Sequence, residues 1–266
     1  MNRIYKALSI TKQSFHQYHN RMIKHAEQEA FLINIIQEVR SNHPTMGCRD
    51  MYYLIRPEGM GRDLFELFCK EFGLMVKRVK NYQRTTDSSG VVRFDNLTLG
   101  LQVNMPNQLW VSDITYYQVG DCFYYLTFII DKHTRRILGH TTSKRLLTAQ
   151  TTLPALKMAI KARKEQNISG VVLHSDGGGQ YYALEFIKIT QQHGILNSMC
   201  IYPWENPYAE RINGVIKNNY LKHRNINTFE ELEIEVDRAV NLYNYTKPHI
   251  GLNRLSPINF EKQYLC

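Results

Sequence analysis

Val171-Val172-Leu173-His174-Ser175-Asp176-Gly177-Gly178-Gly179 is an apolar run of strand type that ends on a carboxylate and then on glycines. A helical stretch leads from it to Leu196-Asn197-Ser198-Met199-Cys200, a second short strand pattern. After a proline-containing loop, Trp204-Glu205-Asn206-Pro207-Tyr208-Ala209-Glu210 opens a helix that carries Lys217. Upstream, Leu109-Trp110-Val111-Ser112-Asp113-Ile114-Thr115-Tyr116 sets another aspartate in the middle of a strand pattern. Two strand-borne aspartates and a later helix-borne glutamate suggest a carboxylate cluster that binds divalent metal.

Short apolar runs bounded by turn residues read as strands, and apolar residues at helical spacing as helices. On that basis strands are predicted over 110–119, 122–131, 135–142, 171–175 and 196–199, with a hairpin turn at Gly120-Asp121. Helices are predicted over 149–163, 184–193, 207–220 and 229–243, and the tail 248–260 reads as irregular. Pro154 must lie in the first turn of its helix or kink it. The order βββαβαβα is that of the ribonuclease-H-like fold: an α/β domain with a mixed five-stranded sheet and flanking helices.

Before the core, Phe31, Ile35, Ile36 and Val39 mark an amphipathic helix, Asn42–Gly47 breaks it, and helices follow over 48–55 and 62–72 (Leu64, Phe65, Phe68), with Gly73 as a C-cap. This spacing suits a helix-turn-helix-like unit over about 31–76, or a plain helical packing module. Residues 1–30 are basic; Leu8–Phe15 reads either as the turn and second helix of a small DNA-binding unit or as part of a solvated helical arm. The expected division is therefore a helical N-terminal region (1–76), a basic linker (77–105), a catalytic core (106–222) and a C-terminal helix and tail (223–266).

The chain of 266 residues carries a net charge of +9 and a pI near 9.2, which favours a polyanionic partner such as nucleic acid. Its five cysteines are scattered, which argues against a disulfide framework and a structural zinc site. His16 and His19 have the spacing of half a zinc site that nothing downstream completes; helix-face histidines are the better reading. No stretch approaches the roughly 18 apolar residues of a membrane span. The N-terminus has no signal-peptide core, so a cytoplasmic protein is expected.

Mg²⁺ prefers oxygen ligands and keeps several waters, so one or two carboxylates per ion suffice beside substrate phosphate. Asp113 lies mid-strand, where an unpaired carboxylate is costly without a cation. Asp176 lies at the carboxyl end of a parallel-type strand, where open α/β sheets place ligand sites. Glu210 lies near a helix start. Any one of them alone is ordinarily a turn or cap residue; the three in this order point to metal chemistry. The glycines after Asp176 either allow backbone to approach a phosphate or simply make a tight turn. His174 shares a strand face with Asp176 and reads as a structural histidine; Asp131 reads as a turn residue. Lys217 lies two helical turns from Glu210, on the same face.

These stretches resemble the insertion-sequence transposases of the IS-three family, relatives of retroviral integrases. The matching residues are Asn107–Tyr116, His174–Tyr181 and Asn206–Lys217, with closing signatures at Tyr243–Leu252 and Ser256–Phe260. His43-Pro44-Thr45-Met46-Gly47-Cys48-Arg49 resembles the family's small helical domain. The resemblance implies that Asp113, Asp176 and Glu210 are a metal-binding triad holding two Mg²⁺, with Mn²⁺ as a substitute. It implies that Lys217 contacts the transposon end, and Arg211, Asn213, Gln180 and Arg49 are further expected DNA contacts. The implied reaction is metal-dependent cleavage at the element ends and strand transfer into target DNA. Expected partners are DNA, further copies of the chain on that DNA, and a helix-turn-helix protein from an upstream reading frame, as fusion or complex. Three glycines after Asp176 depart from the family's bulkier residues, and the spacing 210 − 176 = 34 is slightly short. The shortening is expected in the loop around Tyr202-Pro203-Trp204. Glu205 is the rival third carboxylate. Two other readings remain: an inactive DNA-binding derivative, and a nuclease acting on RNA–DNA hybrids.

Overall fold

The computed structural model describes residues 11–76, 94–200 and 205–264, and the chain divides into two compact units, Met1–Met75 and Val76–Cys266. The first is helical. Helix α1 (Lys12–Asn42) starts at Thr11, whose Oγ1 accepts a hydrogen bond from the Ser14 amide at 3.0 Å. Such a cap satisfies one of the donors that a helix start leaves open. No new helix begins at Phe31, because the residues before it contain neither Gly nor Pro to stop the first. Residues 11–30 are thus an exposed helical arm, continuous with the packed part. The buried stripe is Leu32 and Ile36, flanked by Ile33 and Val39, while Phe31 is 67% exposed, one position off the expected face.

Helices α2 (Cys48–Ile55) and α3 (Arg62–Glu71) close over that stripe with Met51, Phe65, Phe68 and Cys69. Leu64, expected on the same apolar face, is exposed instead. Gly73, at φ +66°, ends α3 in a left-handed conformation that costs a glycine little. The Arg40 guanidinium donates to the carbonyls of Met46 and Leu74, at 2.5 and 2.9 Å, and ties the end of α1 to both loops.

In the second unit β1 (Leu109–Val119), β2 (Cys122–Asp131) and β3 (Ile137–Ser143) form an antiparallel meander. Strands β4 (Val172–Ser175) and β5 (Leu196–Met199) add in parallel on the far side of β1, giving the order β3-β2-β1-β4-β5. This is the mixed five-stranded sheet expected from the sequence. Alternation divides each strand between two cores. Trp110, Ile129 and Leu173 face α4 (Thr152–Ala162) and α5 (Leu184–Gln192). Leu109, Val111, Phe128 and Ile130 face α6 (Pro207–Val215) and α7 (Phe229–Tyr245). Pro154 is the third residue of α4, in its first turn. Gly139 lets the α4 backbone lie directly on β3: a Cβ there would overlap the Ala155 carbonyl oxygen.

Three sequence expectations are corrected. The helix read over 207–220 changes at Val215 into a π turn, Ile216–Tyr220. The tail carries a short helix, α8 (Pro257–Glu261), started by Ser256, whose Oγ accepts from the Asn259 amide at 3.4 Å, and by Pro257 at its first position. Residues 94–105, read as the end of a linker, lie on the sheet: the Leu97 amide donates to Ser198 Oγ at 2.9 Å, and Leu101 and Val103 pack on the core. Residues 77–93 and the loop at Tyr202-Pro203-Trp204 lie outside the described residues.

Candidate active site

Strands β1 and β4 pair only over Leu109–Val111 and Val172–His174. Continuing that register puts Asp113 level with Asp176, just past the point where the two strands part. A parallel sheet opens its ligand crevice at such carboxyl ends. Asp113 is on the face covered by α6, and the Asn213 side chain on that helix donates Nδ2–H to Asp113 Oδ2 at 2.7 Å. The Asp113 carboxyl is pushed up to about 8, first by burial, then by the charges of Asp176 and Glu210, against the Ile114 amide and Lys217. Asp176 is raised as well, chiefly by burial, although the Gly178 amide donates to its Oδ1 at 3.2 Å. Glu210, in the first turn of α6, is the most exposed of the three.

Asp176 and Glu210 therefore both lie near enough to Asp113 for their charges to act on it, with Lys217 acting in the opposite sense. Glu205, the rival third carboxylate, acts on His174 and, together with Asp176 and Asp113, on Cys200, while Glu210 acts on Asp113. His174 is buried, its Nδ1 is 2.9 Å from Ser198 Oγ, and burial holds it below the ordinary imidazole range, which suits a neutral structural residue. Asp131 is a turn residue: its Oδ1 accepts from the amides of His133 and Thr134, both at 2.9 Å.

Among the described residues no group of three or more His, Cys, Asp or Glu side chains is arranged so that it could hold a metal ion. The chemistry of the donor set nonetheless suits a hard cation that keeps most of its waters: the three carboxylates offer oxygen ligands only, and burial with the charges of Asp176 and Glu210 makes Asp113 costly to ionise without a cation.

The expected DNA contacts are not all brought together. Lys217 Nζ donates to Thr115 Oγ1 at 2.8 Å, two residues along β1 from Asp113, and lies 5.5 Å from the centre of the Tyr116 ring. Gln180 spends its amide on the Leu146 carbonyl at 3.2 Å. Asn213 is buried against Asp113 and does not face solvent. Arg211 is exposed, with its charge felt at Tyr243 and His249. Arg49 belongs to the helical unit, exposed and paired with Glu66 at 2.9 Å. Sequence reasoning missed Ser112, Tyr181 and Asn206, buried polar residues beside the carboxylates. The only signal for them was adjacency to the acidic motifs.

Residues 103–202 and 197–257 match the integrase core domain family. The chain is 30% identical to the transposase for insertion sequence element IS629 of Shigella sonnei, over 90% of its own length and 81% of the relative's. It is equally identical, at 30%, to a 31 kDa protein of insertion element IS600 of the same organism, over 83% and 82% of the two chains. The transposase InsF of insertion sequence IS3fB from Escherichia coli strain K12 is 32% identical over 60% of this chain and 56% of the relative. The fold is shared with a chain of the simian T-cell lymphotropic virus intasome, solved in complex with a PP2A regulatory subunit: TM-score 0.56, 15% identity, 85% of this chain and 72% of that one. No helix among the described residues is long and apolar enough to cross a membrane. With its integrase core and with relatives 30% identical over about four-fifths of their length, the chain belongs to the insertion-sequence transposases.

Proposed function

We propose that the chain cleaves DNA at the ends of an insertion sequence and joins them to target DNA, with Asp113, Asp176 and Glu210 as ligands of two Mg²⁺ ions. The observation that carries this reading is the setting of Asp113: level with Asp176 where β1 and β4 part, bonded to Asn213 at one oxygen, and costly to ionise because of burial and the charges of Asp176 and Glu210. Bound there, the ions would supply positive charge to the attacking and leaving oxygens of an in-line phosphodiester displacement. The protein's own groups orient the reactants. Asn213 fixes one Asp113 oxygen through its 2.7 Å hydrogen bond and leaves the other for a cation. The short 177–179 glycine turn brings backbone close to a strand entering beside Asp176. Lys217, bonded to Thr115, would meet a phosphate next to the cleaved one. The same site serves water in the first step and a DNA 3′-hydroxyl in the second, because both are oxygen nucleophiles on one phosphorus. The net charge of +9 favours the DNA substrate, and copies assembled on paired ends are part of the proposal.

The test is nicking and joining of labelled DNA that carries the element's own ends, with Mg²⁺, and with and without the upstream-frame product. Wild type is expected to act, while Asp176→Asn and Glu210→Gln bind DNA and leave it intact. Binding without cleavage by wild type under every condition would move the reading to a DNA-binding derivative. Cleavage that survives Glu210→Gln and is lost in Glu205→Gln would reassign the third ligand.

A further inference from the structure

Three segments carry the carboxylates: the middle of β1, the turn after β4 and the start of α6. Like charges push them apart, yet a neutral, buried contact point holds them at one place. Ser112, the residue before Asp113, is fully buried. Its Oγ donates to the Phe128 carbonyl at 2.9 Å and lies 2.8 Å from the Tyr181 hydroxyl. The serine's only hydroxyl proton goes to Phe128, so Tyr181 is the donor of the second bond. Tyr181 ends the glycine turn that begins at Asp176; it is 3% exposed, and its ring packs edge-on against Phe186 at 5.7 Å.

The same Ser112 accepts from the third segment through its carbonyl: Asn206 Nδ2 donates to it at 2.8 Å. Asn206 occupies the N-cap position of α6, where an asparagine side chain ordinarily accepts from the helix's own first turn. Here it makes no such bond; it reaches across to β1, and its Oδ1 has no partner among the described residues. An N-cap given up for a contact to another segment indicates that the contact is the residue's purpose.

We propose that Ser112, Tyr181 and Asn206 are positioning residues that fix the spacing of Asp113, Asp176 and Glu210 before the metal arrives. This rests on the metal-binding reading of the same site. Each partner fixes one segment against β1: Tyr181 the turn of Asp176, Asn206 the helix start of Glu210. Metal sites whose supporting hydrogen bonds are removed lose roughly 10–100-fold in affinity, because the ligands must be ordered when the ion binds.

The experiment is Mg²⁺ titration of the full chain without DNA, read by the metal-induced rise in melting temperature and by calorimetry, with Asp113→Asn as the unresponsive control. Tyr181→Phe keeps the ring and removes the donor; Asn206→Ser keeps a capping residue and removes the reach to Ser112. Both are expected to raise the Mg²⁺ midpoint about tenfold and still reach the wild-type plateau at saturating ion. Asn206→Ser is expected to do so without lowering the metal-free melting temperature, since serine caps α6. A lower metal-free melting temperature with an unmoved midpoint would overturn the proposal, leaving the three as ordinary core residues. If Tyr181→Phe fails to fold, Asn206→Ser decides alone. A wild type that does not respond to Mg²⁺ sinks the metal reading itself and the positioning role with it; a responding wild type with unmoved variants sinks only the latter.

Discussion

The sheet carries buried carboxylates at two places, and they are treated in opposite ways. At the end of β2, Asp131 and the α8 residue Glu261 meet Arg163 and Arg136. Arg163 donates to both Glu261 oxygens, Arg136 to one of them at 2.7 Å, and Asp131 Oδ2 lies 3.6 Å from Arg163. Burial works against the Glu261 charge, yet the two arginines hold it below its ordinary value. In the crevice past β4, Asp113 has Asn213 and the Ile114 amide as hydrogen-bond partners, Lys217 as a cation acting on it, and the charges of two carboxylates against it. Where the purpose is to tie the chain's end to the core, the protein supplies its own cations. Where the charge is left over, the cation has to come from outside.

The largest effect expected from this contrast is at the compensated site. Arg163→Met leaves Glu261 and Asp131 buried without their shared partner, and removing one member of a buried ion pair costs about 3–5 kcal/mol. Urea unfolding of the variant should show that loss, with α8 released from the core. A change under about 1 kcal/mol would mean that the cluster behaves like an exposed pair and that the contrast is empty.

At the uncompensated site the sign reverses. With its carboxyl raised from 3.8 to about 8, Asp113 binds a proton in the folded chain that the unfolded chain has already lost. Its favourable contribution is therefore complete below about pH 4 and is lost as the pH rises toward 8. In metal-free protein at pH 8, Asp113→Asn should be the more stable form, on the order of 2 kcal/mol after allowing for the water that reaches the crevice. The gain should shrink toward pH 5 and disappear on adding Mg²⁺, which stabilises only the wild type. Equal pH profiles for the two proteins would show that Asp113 is ionised without help.

How far these sites are legible in the sequence follows from what each depends on. Asp113, Asp176 and Glu210 sit in short motifs whose strand and helix contexts repeat the sheet's own periodicity, so order and register follow from pattern. The mixed five-stranded sheet likewise followed from the element order, with three consecutive strands before the first helix. The compensating site did not show, because Asp131, Arg163 and Glu261 are far apart in the chain and meet only through tertiary packing. The tail read as irregular, although Ser256-Pro257 is an N-cap followed by a first-turn proline; five residues of helix are too few for a periodic signal. At Phe31 the buried face was misjudged by one residue, since a long, largely exposed helix offers several apolar residues that nothing buries. The π turn Ile216–Tyr220 was equally invisible, since the apolar spacing of 207–220 suits an unbroken helix.

Lys217 carries the smallest expected effect and the sharpest division between the two kinds of site. It lies in that π turn, bonded to Thr115 Oγ1 and, more weakly at 3.4 Å, to the Tyr116 carbonyl. Burial holds its ammonium below the ordinary lysine range, against the pull of Asp113. If it is an internal counter-ion like Arg163, Lys217→Met should lower stability and leave DNA affinity untouched. If it meets DNA, each phosphate contact contributes close to one unit to the slope of log K against log salt concentration, and the variant's slope should fall by about one. The second outcome is expected. Arg163 aims both terminal nitrogens at the Glu261 carboxylate and its Nε at Asn107 Oδ1, whereas Lys217 contacts a hydroxyl, a carbonyl and a ring face, none of which carries charge to match its own. A half-buried cation with neutral partners, next to carboxylates with too few cations, belongs to the part of the molecule that the substrate completes.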